Sequence, residues 1–267
     1  MLSAETGHYQ TIVTEMTPEF ISAGPALFME NSRRILVIAD AHFGAESGFS
    51  RKGVHIASNS TDRLSRICSC IEETTPDMLL FLGDLKHSVP MMSRQEFTEL
   101  PQILETIRDQ IPFRLIPGNH DGGIERFLNP GELLPKRGAL IDGTWYVHGH
   151  MHLPPESAGN LIVCGHHHPV VSLYDEVGCA LRAQPAYLFA EVNEGCAGFV
   201  SNENSRNTRI LFMPAFFEYA GGIDVRKIHV SRLSPVSRCF DVDCAEVFLS
   251  DGTYIDRLGA LVGDERA

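Results

Sequence analysis

The chain lacks any apolar run approaching the roughly 20 residues of a membrane span, and Met1 to Glu30 has neither a basic start nor an apolar stretch of signal-peptide length. The expectation is a cytoplasmic protein with no membrane partner. Basic residues are also scarce: 22 Lys and Arg against 34 Asp and Glu leave a formal charge of −12. A field of that sign repels polyanions at long range, which argues against broad electrostatic capture of DNA. The seven cysteines (Cys68, Cys70, Cys164, Cys179, Cys196, Cys239, Cys244) form no CxxC pair and no zinc-ribbon spacing. Reduced, mostly buried thiols are expected. No internal repeat or low-complexity tract is visible.

What is present is the composition of a packed globular protein, 43% hydrophobic and 21% charged, with Pro and Gly dispersed. At 267 residues, one α/β domain spanning 1–267 is expected. Short apolar runs ending in small or polar residues recur, with helical periodicity between the early ones, as in an α/β sheet. Ile35 to Ala39 leads into Asp40; Leu64, Ile67, Cys68 and Ile71 then follow one-sided helix spacing, closed by Pro76. Met78 to Leu82 delivers Gly83 and Asp84. Ser93 and Glu96 form a capping-box pattern ahead of Phe97, Leu100, Leu104 and Ile107, and Pro101 is expected to kink or shorten that helix. Phe113 to Ile116 ends in Pro117-Gly118-Asn119-His120-Asp121.

Beyond residue 135 the texture changes. Ala139 to Ile141, Trp145 to Val147, Leu161 to Cys164, Tyr187 to Ala190 and Ile210 to Met213 look like strands with little helix between them, and imply a second sheet packed on the first. Glu191 to Asn207 reads as an exposed loop, and Ala245 to Leu249 as a further strand of the same domain.

Each of the first three apolar runs presents metal-binding side chains just past its carboxyl end, where open α/β sheets build their sites. Asp40 and His42 flank Ala41, so an extended backbone would point both to one face. Asp84 follows the second run and Asn119 the third. Seven of the twelve histidines fall between 120 and 168: His120, His148, His150, His152, His166, His167 and His168. Carboxylate, amide oxygen and imidazole together suit manganese, iron or zinc better than calcium, and the lack of thiolate ligands argues against a structural zinc site. Singly, each element has a structural explanation, since Gly-Asp and Gly-Asn are common in turns. Their order and spacing together favour a metal centre, and two ions over one.

Asp40-x-His42, Gly83-Asp84, Gly118-Asn119-His120-Asp121, His148-Gly149-His150 and Gly165-His166-x-His168 resemble the five motifs of the calcineurin-like metallophosphoesterases, over about Ile35 to Pro169. Gly83 to Ser88 is similar to the corresponding segment of SbcD-type DNA-repair nucleases. The short length and the Lys86 to Pro90 run resemble the compact archaeal phosphoesterases described as SbcD-related.

The resemblance implies a four-layer α/β/β/α sandwich, two packed mixed sheets flanked by helices. It implies two divalent ions, Mn²⁺ first with Fe, Zn, Ni or Co as alternatives. One would be held by Asp40, His42 and His168, the other by Asn119, His148 and His166, with Asp84 bridging. His148 is assigned over His150 because the family motif places the ligand directly after the strand. His120 would contact the phosphate or protonate the leaving oxygen; His87 would orient His120 or touch substrate. His167 is expected to point away into solvent. A homodimer is an expectation of the same kind.

Two such cations activate a bridging water, orient it in line with phosphorus and neutralise charge on the phosphoryl oxygens, so no Ser or Cys nucleophile is required. The expected activity is phosphodiester hydrolysis on a nucleotide or nucleic acid. The alternatives are a phosphomonoesterase, a protein-interaction scaffold with a weak site, or a metal-storage module. The intact ligand set and His120 favour an enzyme. Tyr187, Phe216, Phe217 and Tyr219 are read as core aromatics rather than base-stacking groups, and Gly221-Gly222 as a tight turn near the metals.

Overall fold

The computed structural model describes residues 18–51, 53, 54, 56–175, 177–199 and 207–263. The first sheet is β1 (Glu19–Ile21), β2 (Ala26–Glu30), β3 (Arg34–Ile38), β4 (Met78–Leu82) and β5 (Phe113–Ile116), paired in that order. β3, β4 and β5 run parallel, and β1 and β2 are antiparallel additions at the edge. The second sheet comprises β6 (Ala139–Ile141), β7 (Thr144–Val147), β8 (Leu161–Cys164), β9 (Pro169–Asp175), β10 (Gly178–Glu191), β11 (Arg209–Phe212), β12 (Ile223–Asp224), β13 (Glu246–Leu249) and β14 (Tyr254–Arg257). Its order is β12-β9-β10-β11-β8-β7-β6, with β13 on β10 and β14 on β13. β7, β8 and β11 are mutually parallel. Both sheets are therefore mixed.

The helices are α1 (Glu46–Arg51), α2 (Ser60–Thr74), α3 (Arg94–Arg108), α4 (Glu194–Ala197), α5 (Val225–Ile228) and α6 (Leu258–Gly263). Because side chains alternate along a strand, the central strands have a core on each face, which is why they read as unbroken apolar runs. In β3 and β4, Leu36, Ile38, Leu79 and Phe81 join Ile67, Leu100, Leu104 and Ile107 of α2 and α3 in one cluster. Their neighbours Ile35, Val37, Leu80 and Leu82 face the other way, against Val163, Tyr187 and Leu211 of the second sheet. The outer face of that sheet, with Ile162, Leu188, Ile210 and Phe212, is covered by Val225, Ile228 and Leu258. Helix, sheet, sheet, helix is the four-layer order expected.

Two of the helical details depart from the sequence reading and one agrees with it. α3 runs through Pro101 without interruption. A proline in a helix interior costs about 3 kcal/mol, whereas Leu100, Ile103, Leu104 and Ile107 each contribute about 1.5–3 kcal/mol by burial, so packing wins. The capping box is present as expected: Ser93 Oγ accepts from Glu96 N at 3.2 Å and Glu96 Oε2 from Ser93 N at 2.5 Å. On α2, Ile67, Cys70 and Ile71 are buried and Cys68 lies at the margin.

The thiols are not all free. Cys196 and Cys239, 43 residues apart, form a disulfide, because Asn193 N donates to Cys239 O at 2.9 Å and brings the two segments together. Cys70 and Cys164 are buried as expected, and Cys244 is exposed. Of the expected 191–207 loop, the described part contains α4, and residues 200–206 lie outside the described residues. Among the described residues no helix is long and apolar enough to cross a membrane.

Candidate metal centre

The carboxyl ends of β3, β4 and β5 meet those of β7 and β8, and the segments just beyond them hold every residue assigned from sequence as a ligand. Asp40 and His42 do not sit on an extended backbone as expected. Both have positive φ, 55° and 47°, as do Asp84 (48°), His166 (70°) and His168 (45°). These are five of eight such non-glycine residues among those described. The left-handed region costs a non-glycine residue on the order of 1–3 kcal/mol. Hydrogen bonds enforce it: Asp40 N to Gly83 O at 3.2 Å, His42 N to Asp84 O at 2.8 Å and Phe43 N to Leu85 O at 2.8 Å continue the β3–β4 pairing past the strands. That pairing turns both side chains inward without an extended run.

Asp84 faces two groups at once. Its Oδ1 accepts from His120 N at 2.8 Å and lies 3.5 Å from His148 Nε2, while Oδ2 lies 3.9 Å from His42 Nε2 and 3.9 Å from His120 Nε2. On one side, the donor atoms of Asp40, His42 and His168 lie within 4.8 Å of one another; on the other, so do those of Asp84, His148 and His166. Asn119 Oδ1 is 3.2 Å from His148 Nε2. His150 is one ring further out, its centroid 5.2 Å from that of His148, and its Nδ1 is buried without a partner. Glycines allow this convergence. A Cβ on Gly118 would sit 2.5 Å from Asp84 N and 2.8 Å from His148 Nε2, and one on Gly83 would sit 2.5 Å from the His148 ring.

The electrostatics call for cations. Asp40 is fully buried and Asp84 nearly so. Burial alone would raise both carboxyls, but His168 beside Asp40 and His148 beside Asp84 hold them below the usual range. Burial pushes His148 down, yet the Asp84 carboxylate outweighs it and lifts the imidazole to about 9, so a proton supplies the positive charge there. Burial holds His42 at about 3 and His166 at about 4, the neutral form that ligates. Asp40 Oδ1 and His168 Nε2 are 3.2 Å apart but not aligned to bond, and both are buried without a hydrogen-bond partner. Two buried ligand atoms without an aligned hydrogen bond, among carboxylate, imidazole and amide oxygen, fit divalent transition ions.

Besides its backbone bond to Asp84, His120 is placed by groups that are not ligands. Its Nδ1 contacts His87 O, and Lys86 Nζ contacts its carbonyl and that of Ser88. The His87 main chain, rather than its imidazole, therefore orients His120. The His87 ring instead puts Nδ1 3.3 Å from His42 Nδ1. His42, His87 and His120 form a third cluster within 4.8 Å. Glu96 secures this loop by accepting from His87 N at 2.9 Å and Ser88 N at 2.5 Å, and Asp121 accepts from Gly118 N at 2.8 Å and Lys86 N at 3.2 Å. Lys86, fully buried, carries no sequence signal for that role. Glu96 is legible as a cap but not as a loop anchor.

His167 does point away from the ligands, but not into solvent. It is 1% exposed, edge-on to Phe212, and burial keeps it neutral with its pKa near 3. Its ring bridges Gly165 O at 2.9 Å and Ser234 Oγ at 2.7 Å, fixing the loop between His166 and His168. Tyr187 and Phe216 are core, as expected, whereas Tyr219 is exposed and lines a cleft of about 460 Å³ with His42, His87, His168 and Phe217. Gly221 lies beside the site: its carbonyl is 3.2 Å from His168 Nδ1.

A mixed sandwich whose converging strand ends gather paired carboxylates, histidines and an asparagine is the framework of a metal-dependent phosphoester hydrolase. Residues 33–187, more than half of the chain, match the calcineurin-like phosphoesterases, and the chain belongs to that family, whose members typically use two metal ions. Among solved structures it is similar to the nuclease MPE of Pseudomonas putida, at 18% identity and a TM-score of 0.53 over 88% of this chain and 97% of that one. It is also similar to Yfce, a phosphoesterase from E. coli, at 16% identity and a TM-score of 0.36 over 53% and 73%. No curated protein matches the chain. The likeness to MPE carries the fold alone.

Proposed function

We propose that this protein hydrolyses phosphodiester bonds of a nucleotide or nucleic acid using two divalent cations. One set of ligands is Asp40, His42 and His168, the other Asn119, His148 and His166, with Asp84 shared. The observation that carries the reading is the Asp84 carboxylate, which turns one oxygen toward His148 and the other toward His42. Bound there, two cations supply Lewis acidity toward a water and toward the phosphoryl oxygens.

The protein's own groups complete the chemistry. With Nδ1 directed at His87 O, His120 keeps Nε2 for the substrate and delivers a proton from that atom to the leaving oxygen. Lys86 and Asp121 keep the His120 loop in place, and the His87 ring borders the substrate cleft. The likeness of Gly83 to Ser88 to SbcD-type nucleases supports a nucleic-acid or nucleotide diester over other esters. Mn²⁺ is the expected activating ion, a homodimer the expected assembly and the cytoplasm the expected compartment.

The test is hydrolysis of bis(p-nitrophenyl) phosphate and of p-nitrophenyl phosphate by metal-stripped protein resupplied with Mn²⁺. Metal-dependent turnover of the diester is expected. Turnover of the monoester alone would make the protein a phosphomonoesterase, and none with metal bound would leave a scaffold.

A further inference from the structure

The cleft beside His42 and His168 is larger than a phosphoryl group requires, at about 460 Å³, and its wall carries aromatic rings. Phe217 is buried, with the Arg63 guanidinium 4.6 Å from its ring centre. Tyr219 is 51% exposed and meets Phe217 edge-on at 5.8 Å, with an interplanar angle of 87°. An exposed tyrosine is ordinary on a protein surface. This one differs in how firmly its turn is held and in what holds it.

The turn is bonded to the metal-ligand segment itself. Phe216 N donates to Ala39 O at 2.9 Å, Phe217 N to Asp40 O at 3.2 Å, and Ala220 N closes back on Phe217 O at 3.1 Å. Glu218 is fixed by Arg63, with bonds of 3.0 and 2.8 Å, and by Asn59 at 2.6 Å. Arg63 is fully buried and also bonds Glu46 at 2.8 Å. Tyr219 thus stands on a braced turn in register with Asp40, and its ring is displayed at little further entropic cost on binding.

We propose that Tyr219 is a stacking platform for a nucleobase, so that the phosphoester admitted here carries a nucleoside next to the scissile phosphate. The assignment rests on the phosphodiesterase reading and narrows it. A flat π surface at a fixed offset from the phosphate site suits a base, since every base offers a face to stack on. A fatty chain would instead need a continuous apolar trough, and His42, His87 and His168 interrupt this wall with polar rings.

The test compares the p-nitrophenyl ester of thymidine 5′-monophosphate with methyl p-nitrophenyl phosphate, using Mn²⁺-loaded wild type, Tyr219→Ala and Tyr219→Phe. Wild type is expected to favour the base-bearing ester. Tyr219→Ala should reduce that preference about tenfold, chiefly through KM, and Tyr219→Phe should retain it. A wild type without preference, or an alanine variant that loses both substrates in parallel, overturns the proposal. Adenosine binding to metal-free protein, followed by saturation-transfer NMR, gives a readout independent of turnover: binding lost in Tyr219→Ala and kept in Tyr219→Phe is expected, and no binding to wild type refutes the platform. Diester turnover without adenosine binding would sink only this inference. Tyr219-dependent binding without turnover of any diester would sink the phosphodiesterase reading instead.

Discussion

On the Asp84 side of the centre, His148 is buried, its Nδ1 directed at Leu82 O at 2.8 Å, and Asn119 and Asp84 surround its Nε2. On the Asp40 side, the His168 side chain is 19% exposed at the cleft, and its Nε2 and Asp40 Oδ1 have no hydrogen-bond partner. Each half pairs a buried carboxylate with an imidazole whose pKa it raises, but only in the first do the facing atoms have aligned hydrogen bonds; in the second, two atoms 3.2 Å apart are left without one. One site therefore combines a half that is hydrogen-bonded into the core with a half that opens on the cleft, and the two should respond differently to the same perturbation.

The largest expected effect is at the residue the halves share. Asp84→Asn should lower Mn²⁺-dependent turnover of bis(p-nitrophenyl) phosphate by at least about 10³-fold, the order of the several kcal/mol that metal catalysis supplies, and reduce bound metal by elemental analysis. Full activity with two ions retained would separate the halves entirely. His120→Asn should lower kcat by about 10²-fold or more while both ions stay bound; concurrent metal loss would turn His120 into a ligand.

The comparison itself is sharpened by His148→Ala against His168→Ala, followed by thermal unfolding with and without Mn²⁺. The first should cost the metal-free protein about 1–3 kcal/mol through a broken buried bond, lowering its Tm by several degrees. The second should also lower the metal-free Tm, because it takes the imidazole from the buried Asp40 carboxylate, and in addition remove part of the stabilisation that Mn²⁺ confers. Equal effects would erase the distinction. The smallest effect on the metals is expected for Ser234→Ala, which takes the partner of His167 Nε2 and of Val236 N and Ser237 N, at about 1–3 kcal/mol of stability with metal content intact.

The residues that converge here were legible because each follows an apolar strand. β4, β5, β6 and β8 fall where the runs Met78 to Leu82, Phe113 to Ile116, Ala139 to Ile141 and Leu161 to Cys164 place them. The edge strands β1 and β2 carry no such signal, since what identifies them is pairing with β3. His167 was misjudged because a His-rich loop reads as polar, and its burial depends on Ser234, 67 residues away. The Cys196–Cys239 pair, the braced turn at Tyr219 and the buried Lys86 likewise depend on contacts between segments remote in sequence. Local pattern reveals what a segment presents, and not which distant segment will cover it.

The five left-handed residues at the centre imply a trade-off that selection could expose. Glycine takes that backbone conformation without penalty, so at Asp40, His42, Asp84, His166 and His168 a substitution that disables the centre should also relieve strain. A mutagenised population selected for heat tolerance alone would drift toward glycine at these positions. Its enrichment map would trace the outline of the active centre without any substrate ever being supplied.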